Sequence, residues 1–197
     1  MSEGTSGAEG KGWHAAGNVP LPSAIVQQSN WFSLKVNGPG FHLIPYAARL
    51  RSLLSFWEER RGDRLIPLLD NIEPSDTGAL QPIVYVVDVN PEPFDLAYRF
   101  LGADIVNRSR RDYTGLRLRD LPSQAPPSQM WRLYEAAVVH QSPQALFVPL
   151  IDHPSLHVEM LAMPLSGKDH RVDRLLGGIS FDLVHRPYDQ SRTAVSN

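Results

Sequence analysis

An aspartate, a histidine and a serine stand close together near residue 153, and these are the side-chain types from which hydrolases build a catalytic triad. They are Asp152, His153 and Ser155. A triad needs side chains that converge in space, which one turn of four residues rarely achieves. Residues 178–180, Gly-Ile-Ser, lack the second glycine of a nucleophile elbow. The sequence therefore predicts turn-forming or strand roles for these residues, and no enzymatic activity.

Seven histidines and the absence of cysteine limit the possible metal and cofactor sites. Without cysteine there are no disulfides, no cysteine-ligated zinc or iron–sulfur clusters, and no flavin photochemistry through a cysteine adduct. His153 and His157 have the i, i+4 spacing of a helical metal pair, but Pro154 between them forbids that geometry. A single histidine that holds haem stays open, and no cofactor is assigned.

Arginines form the densest basic cluster of the chain, between residues 108 and 119. Arg108, Arg110 and Arg111 are the candidate partner-binding residues, since guanidinium groups suit an acidic partner or a phosphorylated ligand. Interleaved aspartates indicate that much of the cluster pairs with itself, and charge runs usually face water. The net charge of −2 gives no bulk attraction to nucleic acid or to anionic membranes, so neither is expected as a partner.

Hydrophobic periodicity predicts the elements that must position these residues. A helix is predicted over residues 45–61, with its apolar stripe at Leu50, Leu53, Leu54 and Trp57. The other predicted elements are strands at 83–87 and 94–101, helices at 103–111 and 126–140, and strands at 145–151, 156–165 and 174–183. Hairpin connections in this order imply an antiparallel sheet with helices gathered on one face, an α+β domain.

Composition divides the chain at its two ends. Residues 1–40 are predicted to be a flexible tail, with apolar side chains between residues 23 and 36 that could dock or form an edge strand. Residues 41–186 form the domain with its N-terminal helix, and residues 187–197 a polar C-terminal tail. The longest apolar run, residues 145–151, is far short of the ~20 residues that cross a bilayer. No secretory signal is visible, so a cytoplasmic protein is expected.

Several short motifs, in order along the chain, match one known family. The first are Phe56-Trp57, Arg61-Gly62, Ile66-Pro67 and Ile72-Glu73-Pro74. The later ones are Tyr98-Arg99-Phe100-Leu101-Gly102, Asp112-Tyr113-Thr114-Gly115, Met163-Pro164-Leu165 and the segment Val-Asp-Arg-Leu-Leu-Gly at 172–177. With these motifs and this order of elements, the chain resembles a PAS-like family of small bacterial single-domain proteins.

The resemblance implies a five-stranded antiparallel sheet with short helices over one face and a small apolar cavity between them. Such domains bind small molecules, cofactors or one another and pass the result to an output domain. Because the flanks are too short for a kinase or a helix-turn-helix, we expect a sensory or adaptor module that acts on a signalling protein in trans. We also expect a homodimer that pairs through residues 45–61 or the apolar segment before them. The alternatives are a small-molecule enzyme on an α+β sheet and a purely structural dimerisation unit with a filled core.

Alternation along the predicted strands, and the apolar stripe of the helix predicted at 126–140, place a set of side chains on the inward face. There they would line a pocket for a small apolar ligand. The set is Tyr98, Phe100, Trp131, Tyr134, Met160, Gly177, Ile179 and Phe181. Gly177 matters most, because a glycine leaves room that a larger side chain would fill. That room could hold a ligand, or a bulky side chain from the helix that carries Trp131 and Tyr134.

Overall fold

An antiparallel sheet forms the frame of the molecule. The structure is a computed structural model that describes residues 41–42, 45–149, 156–167 and 171–185. The strands are β1 (Phe41–His42), β2 (Val84–Pro91), β3 (Phe94–Leu101), β4 (Gln144–Pro149), β5 (Leu156–Ser166) and β6 (Val172–His185). The helices are α1 (Ala48–Arg61), α2 (Ala103–Ser109) and α3 (Gln129–His140), and short 3-10 helices span Leu69–Asn71, Pro74–Ile83 and Leu118–Asp120.

The strands lie in the order β1-β4-β5-β6-β2-β3, and every neighbouring pair is antiparallel. The α+β class and the five long strands predicted from the sequence are confirmed. The two-residue β1, which pairs with β4, adds a sixth strand at the edge. The predicted tails, residues 1–40 and 187–197, lie outside the described residues, so their boundaries stay predictions.

The sheet has two faces, which cross-strand pairing defines. The inner face carries Tyr85 and Gly177, and it packs against α3, because the rings of Tyr85 and Tyr134 lie 5.5 Å apart. The outer face carries Gly178 and packs against α1, since a Cβ built on Gly178 would lie 2.8 Å from the nearest Leu53 methyl. Helix α1, the N-terminal helix predicted to precede the sheet, therefore covers the face opposite to α3.

Helix α1 forms where the apolar stripe predicts it, but it begins at Ala48 rather than at residue 45. Leu50, Leu53 and Trp57 are buried against the sheet, and the Trp57 indole N–H donates to the Pro164 carbonyl at 2.9 Å. At the other end Gly62 has a φ of +56°, a conformation that glycine adopts without strain, and the helix stops there.

Among the described residues no helix combines the length and apolarity that a membrane span requires.

A buried carboxylate fixes the start of α1. Glu159 lies in β5 with 0% of its surface exposed. Its carboxylate accepts from the Tyr46 N–H at 2.9 and 3.0 Å and from the Ala47 N–H at 2.7 Å. Ala47 is the N-cap residue of α1, and negative charge is favourable at a helix N-terminus. Sequence periodicity gives no hint of this role, because Glu159 is a single charged residue between the apolar Val158 and Met160.

We expect Glu159→Gln to lower the free energy of unfolding by about 2 kcal/mol, the magnitude of hydrogen bonds to a buried charged acceptor. Chemical denaturation measures this change, and hydrogen exchange at the Tyr46 and Ala47 amides localises it. Glu58→Gln, on the exposed face of α1, is the control and is expected to change stability by less than about 0.5 kcal/mol. Equal effects of the two substitutions would contradict the role of Glu159.

Candidate functional site

Three buried tyrosines meet on the inner face of the sheet. Tyr85 comes from β2, Tyr98 from β3 and Tyr134 from α3, and none is more than 2% exposed. The sequence predicted Tyr98 and Tyr134 for this place and missed Tyr85. The signal for Tyr85 was its position in an apolar, β-branched strand, where a tyrosine needs a partner for its hydroxyl group.

The room expected above Gly177 is filled. A Cβ built on Gly177 would overlap the Tyr85 ring and the Leu161 carbonyl oxygen. Tyr85 is the direct cross-strand neighbour of Gly177, and its hydroxyl donates to the Leu161 carbonyl at 2.7 Å. The glycine therefore makes space for a side chain of the adjacent strand, not for one from α3, and the expectation of an open basin at Gly177 is corrected.

Hydrogen bonding within the cluster is incomplete. The Tyr98 hydroxyl donates to Gln124 Oε1 at 2.8 Å and lies 3.2 Å from Met130 Sδ. Gln124 Nε2 has no hydrogen-bond partner among the described residues, and Tyr134 Oη makes no well-formed hydrogen bond there, although the hydroxyl groups of Tyr85 and Tyr98 interact with it. Nine in ten or more buried polar groups in proteins do have a partner, so incomplete hydrogen bonding at these buried atoms is unusual.

Burial determines the charge state of the tyrosine cluster. Desolvation raises the pKa of Tyr85, Tyr98 and Tyr134 well above the ordinary value of tyrosine. All three phenols are therefore neutral near pH 7. Neutral phenols donate and accept hydrogen bonds, so the cluster can recognise a neutral polar group and offers no negative charge to a cation.

Phe100 lies on the opposite face from Tyr98, contrary to the alternation that placed both inward. In the β2–β3 ladder Val86 pairs with Phe100, but the next residue, Val87, pairs with Tyr98. Arg99 is therefore an extra residue in β3, a β-bulge, and a bulge reverses the faces of the residues beyond it. Phe100 lies on the outer face beside Val86, so its prediction as a pocket residue on the inner face is wrong.

The other predicted pocket residues are on the inner face or border it, and each has a packing partner. Trp131 packs edge-on against Phe94, with ring centroids 5.6 Å apart. Met160 and Ile179 are direct cross-strand neighbours in β5 and β6 and are buried. The guanidinium of Arg108 lies 4.5 Å from the centre of the Phe181 ring. These side chains form the walls of the core around the tyrosines.

The three arginines predicted to bind a partner differ in their surroundings. Arg108 is held over Phe181, and partial burial lowers its pKa from the ordinary arginine value. Arg111 stacks over the Tyr113 ring at 5.1 Å. Arg110 is the C-cap residue of α2, with a left-handed φ of 54°. Two of the three are thus engaged with aromatic rings of the same chain, so a shared docking role for the three stays a prediction.

The remaining chemical candidates are placed as follows. Asp152, His153 and Ser155 lie outside the described residues. Ser180 lies within β6, not at a strand–helix turn, and its hydroxyl accepts from the Asp182 N–H at 3.2 Å. Within the part of the chain that the structure describes, no group of three or more histidine, aspartate or glutamate side chains is arranged to hold a metal ion. His140 is exposed at the last residue of α3.

The order of elements and the inner face can now be compared with known proteins. A family model described as the PAS domain matches residues 47–180, more than half of the chain. The chain belongs to the PAS domain family. The matched part of this PAS domain runs from the N-cap of α1 into β6 and includes the tyrosine cluster. Membership of the PAS family assigns this chain to the general class of sensory modules.

Among solved structures the PAS domain is similar to one described as the structure of an RNA-binding light-oxygen-voltage receptor. The identity is 16%, the TM-score is 0.37, and the match covers 75% of this chain. It covers only 37% of the receptor chain, so the PAS domain spans less than half of that protein. The comparison with curated proteins finds no match.

We expect Gly177→Leu to lower the free energy of unfolding of the PAS domain by about 3 kcal/mol, the upper part of the range for overpacked cores. The Tyr85 ring occupies the space that the leucine needs. In the double variant with Tyr85→Ala we expect less than the sum of the two single losses, because the truncation makes room. Urea denaturation of the wild type, the two single variants and the double variant measures these free energies, with Ala48→Leu at an exposed position as control. Strict additivity would contradict the contact.

Proposed function

We propose that this PAS domain is a sensory module that binds a small polar molecule at the tyrosine cluster and passes the signal to a protein partner in trans. The carrying observation is a pair of buried polar atoms, Gln124 Nε2 without a partner and Tyr134 Oη without a well-formed hydrogen bond among the described residues. They belong to side chains that are 0% exposed, and they sit among hydroxyl groups that are neutral near pH 7.

The free energy of hydrogen bonding supports this proposal. A buried donor or acceptor that loses its partner costs about 1–3 kcal/mol. A molecule that accepts from the Gln124 amide and hydrogen-bonds the Tyr134 hydroxyl offsets that penalty twice. Its size is restricted, because Tyr85 already fills the space at Gly177. The proposed ligand is therefore small and neutral, with a carbonyl or hydroxyl group.

A route from the cluster to the surface of the domain exists in β6. Gly177 contacts Tyr85 on the inner face, and the next residue, Gly178, contacts Leu50 and Leu53 of α1 on the outer face. A shift of the Tyr85 ring on ligand binding would press on β6 and thereby on α1. We propose that α1 is the element that reports the bound state to a partner, or to a second copy in a homodimer.

The filled space at Gly177 favours a second candidate, a structural adaptor that binds partners without any ligand. In that case the tyrosine cluster is only a core, and α1 is a static docking surface. The proposal assigns no catalytic role to any residue. Cytoplasmic location and the homodimer stay predictions.

Hydroxyl deletions distinguish the two candidates. In protein freed of small molecules by unfolding, dialysis and refolding, we expect Tyr134→Phe to raise the free energy of unfolding by about 1 kcal/mol, because a buried hydroxyl without a well-formed hydrogen bond is removed. The matched control Tyr85→Phe removes a hydroxyl that donates to Leu161, and we expect a loss of about 1 kcal/mol.

Native mass spectrometry of protein as purified completes the test. We expect a species heavier than the polypeptide in the wild type and its loss in Tyr134→Phe. A wild type that carries nothing would favour the adaptor. If Tyr134→Phe destabilises the refolded protein as much as Tyr85→Phe does, the Tyr134 hydroxyl has a well-formed hydrogen bond within the chain and the ligand site is disproved.

A further inference from the structure

A groove on the outer face of the sheet is separate from the tyrosine cluster. Its volume is about 360 Å³, within the range of small-molecule sites. Its floor is one row of side chains across three neighbouring strands, because Val86 pairs with Leu176 on one side and with Phe100 on the other. Because of the bulge at Arg99, the Phe100 side chain lies on the outer face and forms part of this floor.

The wall of the groove comes from the connector between α1 and β2. Leu69, Ile72 and Pro74 line the groove from the 3-10 helices and the segment between them. The connector is held at the end of β5, where the Ser166 N–H donates to the Pro67 carbonyl at 2.9 Å. The cleft therefore has two apolar sides, one from the sheet and one from the connector.

The rim of the groove carries an excess of hydrogen-bond donors. Arg174 donates through Nε to Asp88 at 2.8 Å, and Arg99 lies 3.4 Å from the other oxygen of the same carboxylate. Each guanidinium has five N–H donors. Within residues 45–149, 156–167 and 171–185, no further acceptor contacts either group. Two positive charges thus share one aspartate, and both arginines line the groove.

We propose that this groove binds a small apolar carboxylate, with its hydrocarbon part against the partly exposed side chains of Phe100, Leu69 and Pro74, above the buried Val86 and Leu176, and its carboxylate on Arg99 and Arg174. On the strand side the two guanidinium groups and Asp88 leave one positive charge for a monoanion, whereas Glu73 on the connector side makes the groove neutral as a whole. Guanidinium groups pair well with carboxylates in the bidentate geometry. Glu73 lines the connector side and is exposed, so its charge orients the carboxylate of the ligand toward the strands.

Calorimetry and NMR on the full chain test this site with two probes, octanoate and 4-phenylbutyrate. We expect saturable binding of at least one probe to one site, with shifts at Val86, Phe100 and Leu176. The alcohols 1-octanol and 4-phenyl-1-butanol have the same hydrocarbon parts and are expected to bind at least tenfold more weakly. Equal binding of acid and alcohol, or no saturable binding of either acid, would overturn the proposal.

Substitutions then locate the site. Arg99→Gln removes one exposed guanidinium and is expected to weaken binding about tenfold. Ser75→Trp places a ring at the mouth of the groove and is expected to abolish binding, whereas Ala79→Trp, beyond the kink at Gly78 and outside the lining, leaves it unchanged. Thermal unfolding checks that each variant is folded. Probe binding that responds to Tyr134→Phe, but not to Arg99→Gln or Ser75→Trp, would place the probe at the inner face and refute the outer site.

Discussion

Two consecutive glycines in the central strand β6 allow both layers of this PAS domain to reach the sheet. Gly177 admits the ring of Tyr85 on the inner face, and Gly178 admits the leucines of α1 on the outer face. A side chain at either position would push one layer away from the strand, and protein cores tolerate such displacement poorly. The packing of the inner cluster and the docking of α1 thus meet at one point of the backbone.

Buried polar groups are hydrogen-bonded to different extents on the two faces of the sheet. On the outer face the buried Glu159 carboxylate accepts hydrogen bonds from the backbone N–H groups at the start of α1, which the helix itself leaves without acceptors. On the inner face the tyrosine hydroxyls are neutral, and Gln124 Nε2 and Tyr134 Oη lack a well-formed hydrogen bond among the described residues. Fully bonded charges rigidify a structure, whereas unpartnered groups leave a free-energy difference that a ligand can use. The proposed sensory role follows from this asymmetry.

Local patterns predicted the elements well, because apolar spacing and turn residues act over short stretches of chain. The stripe of α1, the β2–β3 hairpin and the amphipathic α3 formed where the sequence indicated, with ends displaced by a few residues. The inner-face position of Tyr98 also followed from strand alternation, and that of Tyr134 from the apolar stripe of its helix. Alternation failed at Phe100, because the bulge at Arg99 arises from pairing between two strands and has no signature within one of them.

The sequence by itself determined the α+β class and the exclusion of cysteine chemistry, since periodicity and composition suffice for these, and its short motifs carried the resemblance to PAS domains. Tertiary structure alone decided what fills the space at Gly177, which face α1 covers and which carboxylate holds it. It also decided that Phe100 joins Val86 and Leu176 in a groove. The physical reason is distance along the chain. Glu159 and Ala47, or Tyr85 and Leu161, interact across intervals of 112 and 76 residues, and only the folded sheet brings such groups together.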